Sequence, residues 1–491
     1  MCTIERNECS TTVRIGRGKS MRVCLICEGS YPYVAGGVAG WVQMLCQNLS
    51  EVEFVIWSIA TTREEMSEYK YALPSNIIDI KTLYLGDNTF HSNYKKIKLQ
   101  DKEREVLKSL IVHTHGEIDW KSTLEFLKKY KKRLVDILMG EDFYHICLDE
   151  YNRTEKTQPF VEFLWNFRGM YFPFMDILTD DVVKADIYHS LSTGYAGILG
   201  SVASYIEKKP YIVSEHGIYT REREEDIIRS EWVQGGFKEL WIDFFKKIST
   251  IAYQQSNIVT SLFQVNKSLQ VELGCPEKKI KIIPNGVAVE EYANILSQNK
   301  LNSDWFNIAT VLRVVPIKDV KTMILAFEYV REQIPNAHLA ILGGYDEDPD
   351  YYEECLDMIQ SLGIQNVDFY GRVNVKEYMA DIDLLLLSSI SEGQPLAILE
   401  GMAAGIPFVS TNVGDCKCLL EGNEDDDLGK AGLIVPIMDS KAMAEAVLYL
   451  AKHPEQLKIM GEVGRKRVSK YYRKEGFLQQ YRDLYHTLKG V

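Results

Sequence analysis

Glu392 and Glu400, with seven residues between them, form the pair in this chain best spaced to hold a polar ligand. They bracket a turn, Gly393-Gln394-Pro395, and the opening of a helical stretch with small residues at Gly401, Ala403, Ala404 and Gly405. An apolar run, Asp383-Leu384-Leu385-Leu386-Leu387, precedes them; Gly405-Ile406-Pro407 stops the helix and Phe408-Val409-Ser410 reads as another strand. Strand, tight turn, helix, strand is the βαβ grammar of a parallel sheet. A helix that starts at a strand's carboxyl end aims free backbone N–H groups and a positive dipole at whatever sits there. A diphosphate fits that place. Glu400, one to two turns into the helix, then reaches the vicinal hydroxyls of a ribose. Glu392, before the turn, reaches the other end of the same ligand. The spacing suits a nucleotide-sugar.

Elements that position such a pair recur along the chain. Met21–Glu28 reads as a first buried strand, followed by a loop to Gly36-Gly37 and helical apolar spacing at Val38, Trp41, Val42, Leu45 and Leu49. Strand, glycine pair and helix make a phosphate-facing turn at Gly36 and Gly37, though not a P-loop, because no Gly-Lys-Ser/Thr follows. Glu53–Ile59 is a second strand. From about 86 to 180 the βα rhythm breaks, with helical patterns over Tyr94–Leu110 and Trp120–Leu138 and an aromatic cluster from Phe160 to Phe174 that reads as core. This is a helical insertion into the first domain. The rhythm resumes at Ala185–His189, Tyr211–Ser214, Ile258–Ser261 and Lys279–Ile283. His189 with the turn holding Thr193 and Tyr195, and the segment Tyr219, Arg221, Glu222, Arg223, follow strand ends. Charges of both signs just past a strand end are unusual for plain packing, so these are candidate contacts to an acceptor or to a sugar.

The second half alternates strands and helices from Phe306–Leu312 through Leu339–Leu342, Val367–Tyr370, Asp383–Leu387 and Phe408–Thr411. The expected domains are a polar, disordered leader over 1–20, a first Rossmann-like domain over 21–300, a second over 301–470, and a C-terminal helix over 471–491. The stretch Glu290–Asp304 bridges the domains, and Glu424–Asp427 reads as a solvated acidic loop.

At 491 residues, 46% hydrophobic and 25% charged, the chain has the composition of a globular protein with ample core. A net charge of -13 argues against nonspecific nucleic-acid binding and against an anionic membrane surface. No apolar run approaches the roughly 18 residues of a membrane span. Residues 1–20 lack the apolar core of a signal peptide. Cys24 and Cys27 form a CxxC inside the apolar run VCLIC, and Cys416 and Cys418 form only a CxC. Neither is a redox or zinc site by its setting, so buried reduced thiols and a cytoplasmic location are expected.

The segment Ser388–Gly414 resembles the E-x7-E signature of family 4 glycosyltransferases, retaining enzymes with the two-domain GT-B fold. The resemblance implies an α/β chain of two Rossmann-like domains facing across a cleft, with the last helix crossing back to the first domain. Arg313 and Lys318, in LRVVPIKD, resemble that family's diphosphate clamp. Two fixed cations stabilise charge on a departing nucleoside diphosphate without a metal. The family's usual glycine after the lysine is replaced here by Asp319. Gly371-Arg372-Val373 resembles the loop whose backbone reads a nucleobase edge. His216 matches a histidine that touches the transferred sugar. Glu392, with backbone N–H groups of Gln394 to Leu396 after Gly393 and around Pro395, would position the sugar hydroxyls. A front-face transfer gives the acceptor proton to a phosphate oxygen, so no separate base is expected.

The segments CEGSYPYVAGGVAGWV and SEHGIYTRERE narrow the likeness to the Pel exopolysaccharide branch of the family, over nearly the whole chain after residue 20. That branch implies a UDP-sugar donor of UDP-glucose or UDP-N-acetylhexosamine type, a glycan acceptor and the cytoplasmic face of a membrane polysaccharide synthase as partner. It implies no cofactor, no metal and no nucleic acid. Two other classes stay open: a GT-B UDP-sugar 2-epimerase, and a catalytically silent nucleotide-binding subunit of a synthase. UDP release only in the presence of acceptor or water separates the first from a transferase. A turnover assay separates the second.

Overall fold

The computed structural model describes residues 20–490 apart from 64–67, 86–95, 113–117, 154–157, 231–232, 234, 293–294, 296–303 and 424–425. Seven strands build the first sheet: β1 Met21–Glu28, β2 Val52–Ala60, β3 Ile77–Tyr84, β4 Ile187–Ser190, β5 Tyr211–Ser214, β6 Ile258–Ser261 and β7 Ile280–Ile282. Six build the second: β8 Phe306–Val311, β9 Ala337–Leu342, β10 Val367–Gly371, β11 Leu384–Leu387, β12 Phe408–Thr411 and β13 Gly432–Val435. The orders are β3-β2-β1-β4-β5-β6-β7 and β10-β9-β8-β11-β12-β13. Every pairing is parallel. Strand order reverses between β1 and β4 and again between β8 and β11. Those reversals open crevices at the carboxyl ends of the strands, where doubly wound sheets hold ligands. The molecule is thus two Rossmann-like α/β domains. β3 interrupts its apolar residues with Asp79, Lys81 and Thr82, and β13 is a four-residue edge strand; neither is among the strands expected above.

Parallel strands are covered on both faces and so read as continuous apolar runs. β1 shows the consequence: Cys24 enters the core under the helical insertion, while Cys27 enters the core on the other face. The two thiols of the CxxC therefore point to opposite sides of the sheet.

The insertion comprises helices Asp101–Ile111, Trp120–Tyr130, Leu134–Leu138, Glu141–Tyr151 and Phe160–Thr179. The first starts at Asp101 rather than at Tyr94, which lies outside the described residues. A reciprocal capping box sets that start: Glu103 accepts from the Gln100 N–H at 2.9 Å. Phe163, Phe167, Tyr171 and Phe174 are core, whereas Trp165 stands 56% exposed. Lys247, from helix Phe237–Gln255, donates to the carbonyls of Ser109 (2.7 Å) and Val112 (2.6 Å), capping the end of the first insertion helix.

The last helix, Lys474–Lys489, packs Phe477, Tyr481, Leu484 and Tyr485 into the first domain's core beside β1 and helix Gly37–Asn48. Burying each such side chain contributes about 1.5–3 kcal/mol. Of the acidic run, Glu424 and Asp425 lie outside the described residues, and Asp426 differs from expectation, because it pairs with buried Arg467 at 2.6 Å. That guanidinium also donates to the Leu419 and Leu420 carbonyls at 3.1 and 2.9 Å. Among the described residues no helix is long and apolar enough to cross a membrane.

Candidate active site

The site is assembled from strand ends. On the second domain, β8 delivers Arg313 and Lys318, and β11 delivers Ser389 and Glu392. Lys318 Nζ donates to Glu392 Oε1 at 2.6 Å, and Ser389 Oγ donates to the same oxygen at 2.6 Å. Arg313 Nη1 donates to both Glu347 oxygens at 2.5 and 2.6 Å. The helix after Glu392 runs Leu396–Ala404 and has no side-chain N-cap. Its first turn keeps N–H groups for a ligand. Gly414 holds the loop shape: at φ +51° its missing Cβ would lie 2.2 Å from the Gly393 carbonyl oxygen. That position tolerates no other residue without backbone movement.

Arg313, Ile317, Lys318, Glu392 and Gly393 form one wall of a cavity of about 470 Å³ between the domains. The opposite wall comes from the first domain: Gly217, Arg221, Glu222, Arg223 and the start of helix Gln264–Glu272. A second cavity, about 490 Å³, opens at the carboxyl ends of β1, β4 and β5 and is lined by Glu28, Ser192, Tyr195, His216, Tyr219 and their neighbours. Gly217, Glu222 and Arg223 line both, so the two spaces meet there. The domains also touch at this junction, because a Cβ on Gly393 would lie 2.5 Å from the His216 carbonyl oxygen.

His216 packs edge-on against Trp41, ring centroids 4.9 Å apart. Burial lowers its pKa to about 4, so the imidazole is neutral at pH 7. Its Nε2 is buried without a partner, as are Thr220 Oγ1 and Arg223 Nε. Tyr219, Arg221, Glu222 and Arg223 lie on helix Tyr219–Arg229, which follows β5. Arg223 lies over the Tyr219 ring at 5.5 Å and pairs with Asp226 at 2.9 Å.

Several expected contacts lie elsewhere. His189 is fully buried, with Nδ1 2.8 Å from the Tyr485 hydroxyl and Nε2 2.7 Å from Ser214 Oγ. Nδ1 is thus spent on docking the C-terminal helix and Nε2 on the neighbouring strand β5, and burial lowers its pKa to about 3. Thr193 is also buried, bonded to Glu215 and Ser249. Gly36 and Gly37 are exposed at the start of helix Gly37–Asn48; Val38, not the glycines, lines the cavity. Gly36, at φ 176°, is simply extended. The Gln394 side chain is tied away from the cleft, accepting from the Asn285 N–H and donating to Asp415, both at 2.7 Å. It joins the two domains, while burial raises Asp415 to about 6. Pro395 is buried, Leu396 half-buried.

Glu400 faces Tyr292 and Lys376, and burial raises its pKa. It lines neither cavity. Gly371 is at φ +68°; Arg372 is exposed and pairs with Asp346 at 3.1 Å, and Val373 packs toward the core that holds helix Leu396–Ala404.

Two carboxylates were missed as site residues. Glu28 accepts from Ser192, the Ala196 N–H and Tyr219 at 3.1, 3.1 and 2.9 Å. Glu215 is buried among Tyr253, Gln270, Thr193 and the Tyr219 N–H at 2.5 to 3.2 Å. Each stands at the end of a strand, in CEG and SEHG, which is the signal that could have found them.

Residues 292–467 match glycosyl transferases group 1, and residues 21–278 match a domain of unknown function, DUF3492. N-acetyl-alpha-D-glucosaminyl L-malate synthase of Bacillus anthracis is 26% identical over 242 residues, 48% of this chain and 61% of that protein. UDP-Gal:alpha-D-GlcNAc-diphosphoundecaprenol alpha-1,3-galactosyltransferase of Escherichia coli is 24% identical over 62% of this chain and 75% of that protein. HepE of Anabaena, solved with UDP and glucose, superposes with a TM-score of 0.60 at 15% identity over 96% of this chain and 100% of its own. The likeness fixes the fold as GT-B. This chain belongs to the family of the DUF3492 domain, here followed by a glycosyl transferases group 1 domain.

Proposed function

We propose that this chain is a retaining glycosyltransferase that moves a hexose from a UDP-sugar, of UDP-glucose or UDP-N-acetylhexosamine type, to a growing polysaccharide or other glycan. The observation that carries the reading is the cavity between the domains. It sets Arg313, Lys318 and Glu392 opposite Gly217, Glu222 and Arg223, where the second cavity opens. A diphosphate placed against the two cations and the uncapped helix at Leu396 presents its sugar to that opening. As the sugar leaves, charge grows on the diphosphate, and Arg313 and Lys318 stabilise it. Glu392, held by Lys318 and Ser389, positions the sugar hydroxyls, and neutral His216 adds a further hydrogen-bonding nitrogen from the other wall. Glu400 receives the ribose hydroxyls in exchange for Tyr292. Gly371 to Val373 faces the nucleobase.

The reading needs neither cofactor nor metal. The segments at Cys27–Val42 and Ser214–Glu224 support a place in exopolysaccharide assembly like that of the Pel glycosyltransferase PelF, working in the cytoplasm beside a membrane synthase. The named activity of the Escherichia coli relative, sugar transfer from UDP-Gal to a lipid-linked sugar, supports the donor class. Calorimetry of UDP with wild type and Glu400→Ala tests the donor site. The variant should bind UDP about 1–3 kcal/mol more weakly, the scale for losing a partner to a charged hydrogen-bonding group. Equal affinity in the two proteins would remove Glu400 from the donor site, and a wild type that binds no UDP would remove the UDP assignment.

A further inference from the structure

The turn that carries Glu392 is strung between the domains. Glu392 is fixed to the second domain by Lys318 and Ser389, both at 2.6 Å. Two residues on, Gln394 is fixed to the first. Its Oε1 accepts from the Asn285 N–H at 2.7 Å, and the Asn285 side chain donates back to the Gln394 carbonyl at 3.3 Å. Its Nε2 donates to Asp415 at 2.7 Å, and the Asp415 N–H donates to the Gly393 carbonyl at 2.9 Å. Asn285, Gln394 and Asp415 are all buried. The amide has one orientation, because a backbone N–H only donates and an ionised carboxylate only accepts.

Asn285 stands where the chain crosses between the domains. Val287, two residues on, donates to the Tyr472 carbonyl at 2.8 Å and accepts from the Lys474 N–H at 3.0 Å, so the outgoing and returning segments are bonded together there. A Cβ on Gly286 would lie 2.8 Å from the Lys474 Cα, so the two crossings pack backbone against backbone. Crossings of this kind are where two domains turn on each other. Gln394 therefore joins the hinge to the turn that opens helix Leu396–Ala404.

We propose that Gln394 is a positioning residue that ties the donor-site turn to the interdomain hinge, so that domain closure and the presentation of Glu392 to the transferred sugar are one movement. This rests on the transferase reading and adds to it a side chain that touches no substrate. With the tie cut, Glu392 keeps Lys318 and Ser389 but loses its register against the first domain's wall. A misplacement of about 1 Å costs on the order of 100-fold in rate. UDP carries no sugar for Glu392 to meet, so its affinity depends little on the tie.

The groups that face Asp415 are uncharged at pH 7. Burial raises the thiols of Cys416 and Cys418 on helix Cys416–Glu421 and the phenol of Tyr472, which follows helix Pro454–Tyr471. Burial also raises Asp415 itself to about 6, opposed by hydrogen bonds to Gln394 and Cys418. A carboxyl in place of the Gln394 amide must share one proton with Asp415, because two carboxylates in contact there do not both ionise readily. While the proton is held, the pair restores the bond to Asp415 and still accepts from Asn285. When the proton leaves at higher pH, the tie breaks.

The test measures UDP release from UDP-glucose and from UDP-N-acetylglucosamine, with water as the simplest acceptor, between about pH 5.5 and about pH 8.5. Wild type is compared with Gln394→Met, which keeps the length without the amide, and with Gln394→Glu; UDP affinity is measured on all three. Gln394→Met should lower the rate at saturating donor by about tenfold or more at every pH, while UDP affinity holds within about threefold. Gln394→Glu should run within about threefold of wild type at the acid end and fall toward the methionine variant as pH rises. Should Gln394→Met fail to fold, the pH trend of Gln394→Glu decides alone. Release by Gln394→Met within about threefold of wild type, a loss traced wholly to UDP affinity, or a ratio of Gln394→Glu to wild type that is flat with pH overturns the proposal and leaves the transferase reading standing. A wild type that releases no UDP from either donor overturns both.

Discussion

Arg313 and Lys318, on the second domain's side of the cleft, each face a carboxylate, Glu347 and Glu392. On the first domain's side, His216 Nε2, Thr220 Oγ1 and Arg223 Nε are buried with no partner, and Glu222 is unoccupied. The two walls therefore prepare for a ligand in opposite ways. A diphosphate entering the second domain's wall exchanges one anionic partner for another, so the cost of the empty state is small. The first domain's wall carries unmet hydrogen-bonding capacity in those three buried atoms, and each such group costs about 1–3 kcal/mol until something fills it. A hydroxyl-rich molecule would relieve that cost.

The sharpest way to break this contrast is Lys318→Ala. It removes a cation from the developing diphosphate charge and strips Glu392 of its ion pair. Losing one such electrostatic partner costs on the order of 100-fold in rate. The prediction is a turnover loss of that size with a much smaller loss in UDP affinity. Equal losses in both would mean that Lys318 binds the ground state as strongly as the transition state.

Acid stability probes the first domain's core behind its wall next. Burial holds His189 near 3 and His216 near 4, against an ordinary value of 6.5. Between those values the unfolded chain binds more protons, so stability is present above 6.5 and is lost as pH falls through the window. The slope is about 1.4 kcal/mol per pH unit for each histidine. Asp415, raised to about 6, works in the opposite direction, so the comparison is between wild type and His189→Gln. Melting temperatures followed below pH 6.5 should fall less steeply in the variant. Identical slopes would show that His189 does not carry the acid sensitivity.

Gly217→Ala sharpens the contrast within the first wall. The new methyl displaces only the end of a flexible side chain, Glu222, so the fold should hold to within about 0.5 kcal/mol. Acceptor-dependent UDP release should fall by about tenfold while UDP affinity stays unchanged. A normal release rate would argue that Glu222 need not lie against Gly217.

The smallest expected effect is on the second wall. Arg313 and Glu347 are 52% and 48% exposed, and such pairs are worth about 0–1 kcal/mol. Glu347→Gln should therefore tighten UDP binding by no more than about fivefold, and the gain should shrink with salt. Weaker binding in that variant would mean that Glu347 supports the site instead of competing for it.

Much of the second wall was legible in one dimension. Glu392, Gly393 and the helix after Pro395 lie in one continuous βαβ stretch, and Arg313 and Lys318 follow one strand, so local spacing sets their placement. The first wall was legible only in outline. Glu28, Ser192 and Glu215 follow three different strands, and Glu222 lies on the helix after the third, so no single local pattern brings them together. His189 looked like a site residue because it ends an apolar run. Its role turned on Tyr485, 296 residues away, and no local pattern reports such a contact. Gly36 and Gly37 looked like a phosphate turn, yet the extended backbone at Gly36 asks nothing of a glycine.

What the sequence determined by itself was the α/β class, the two sheets and the segment that carries the paired glutamates. Apolar periodicity and turn residues act over a few positions, and those properties depend on nothing more distant. Tertiary structure alone decided which of the many strand-end polar residues meet. Gln394 was drawn from the cleft to Asn285 and Asp415, and Glu222 was left unpartnered where the two cavities join. Those outcomes depend on how two separately folded sheets face each other, a relation set by side-chain packing between domains and by the returning C-terminal helix.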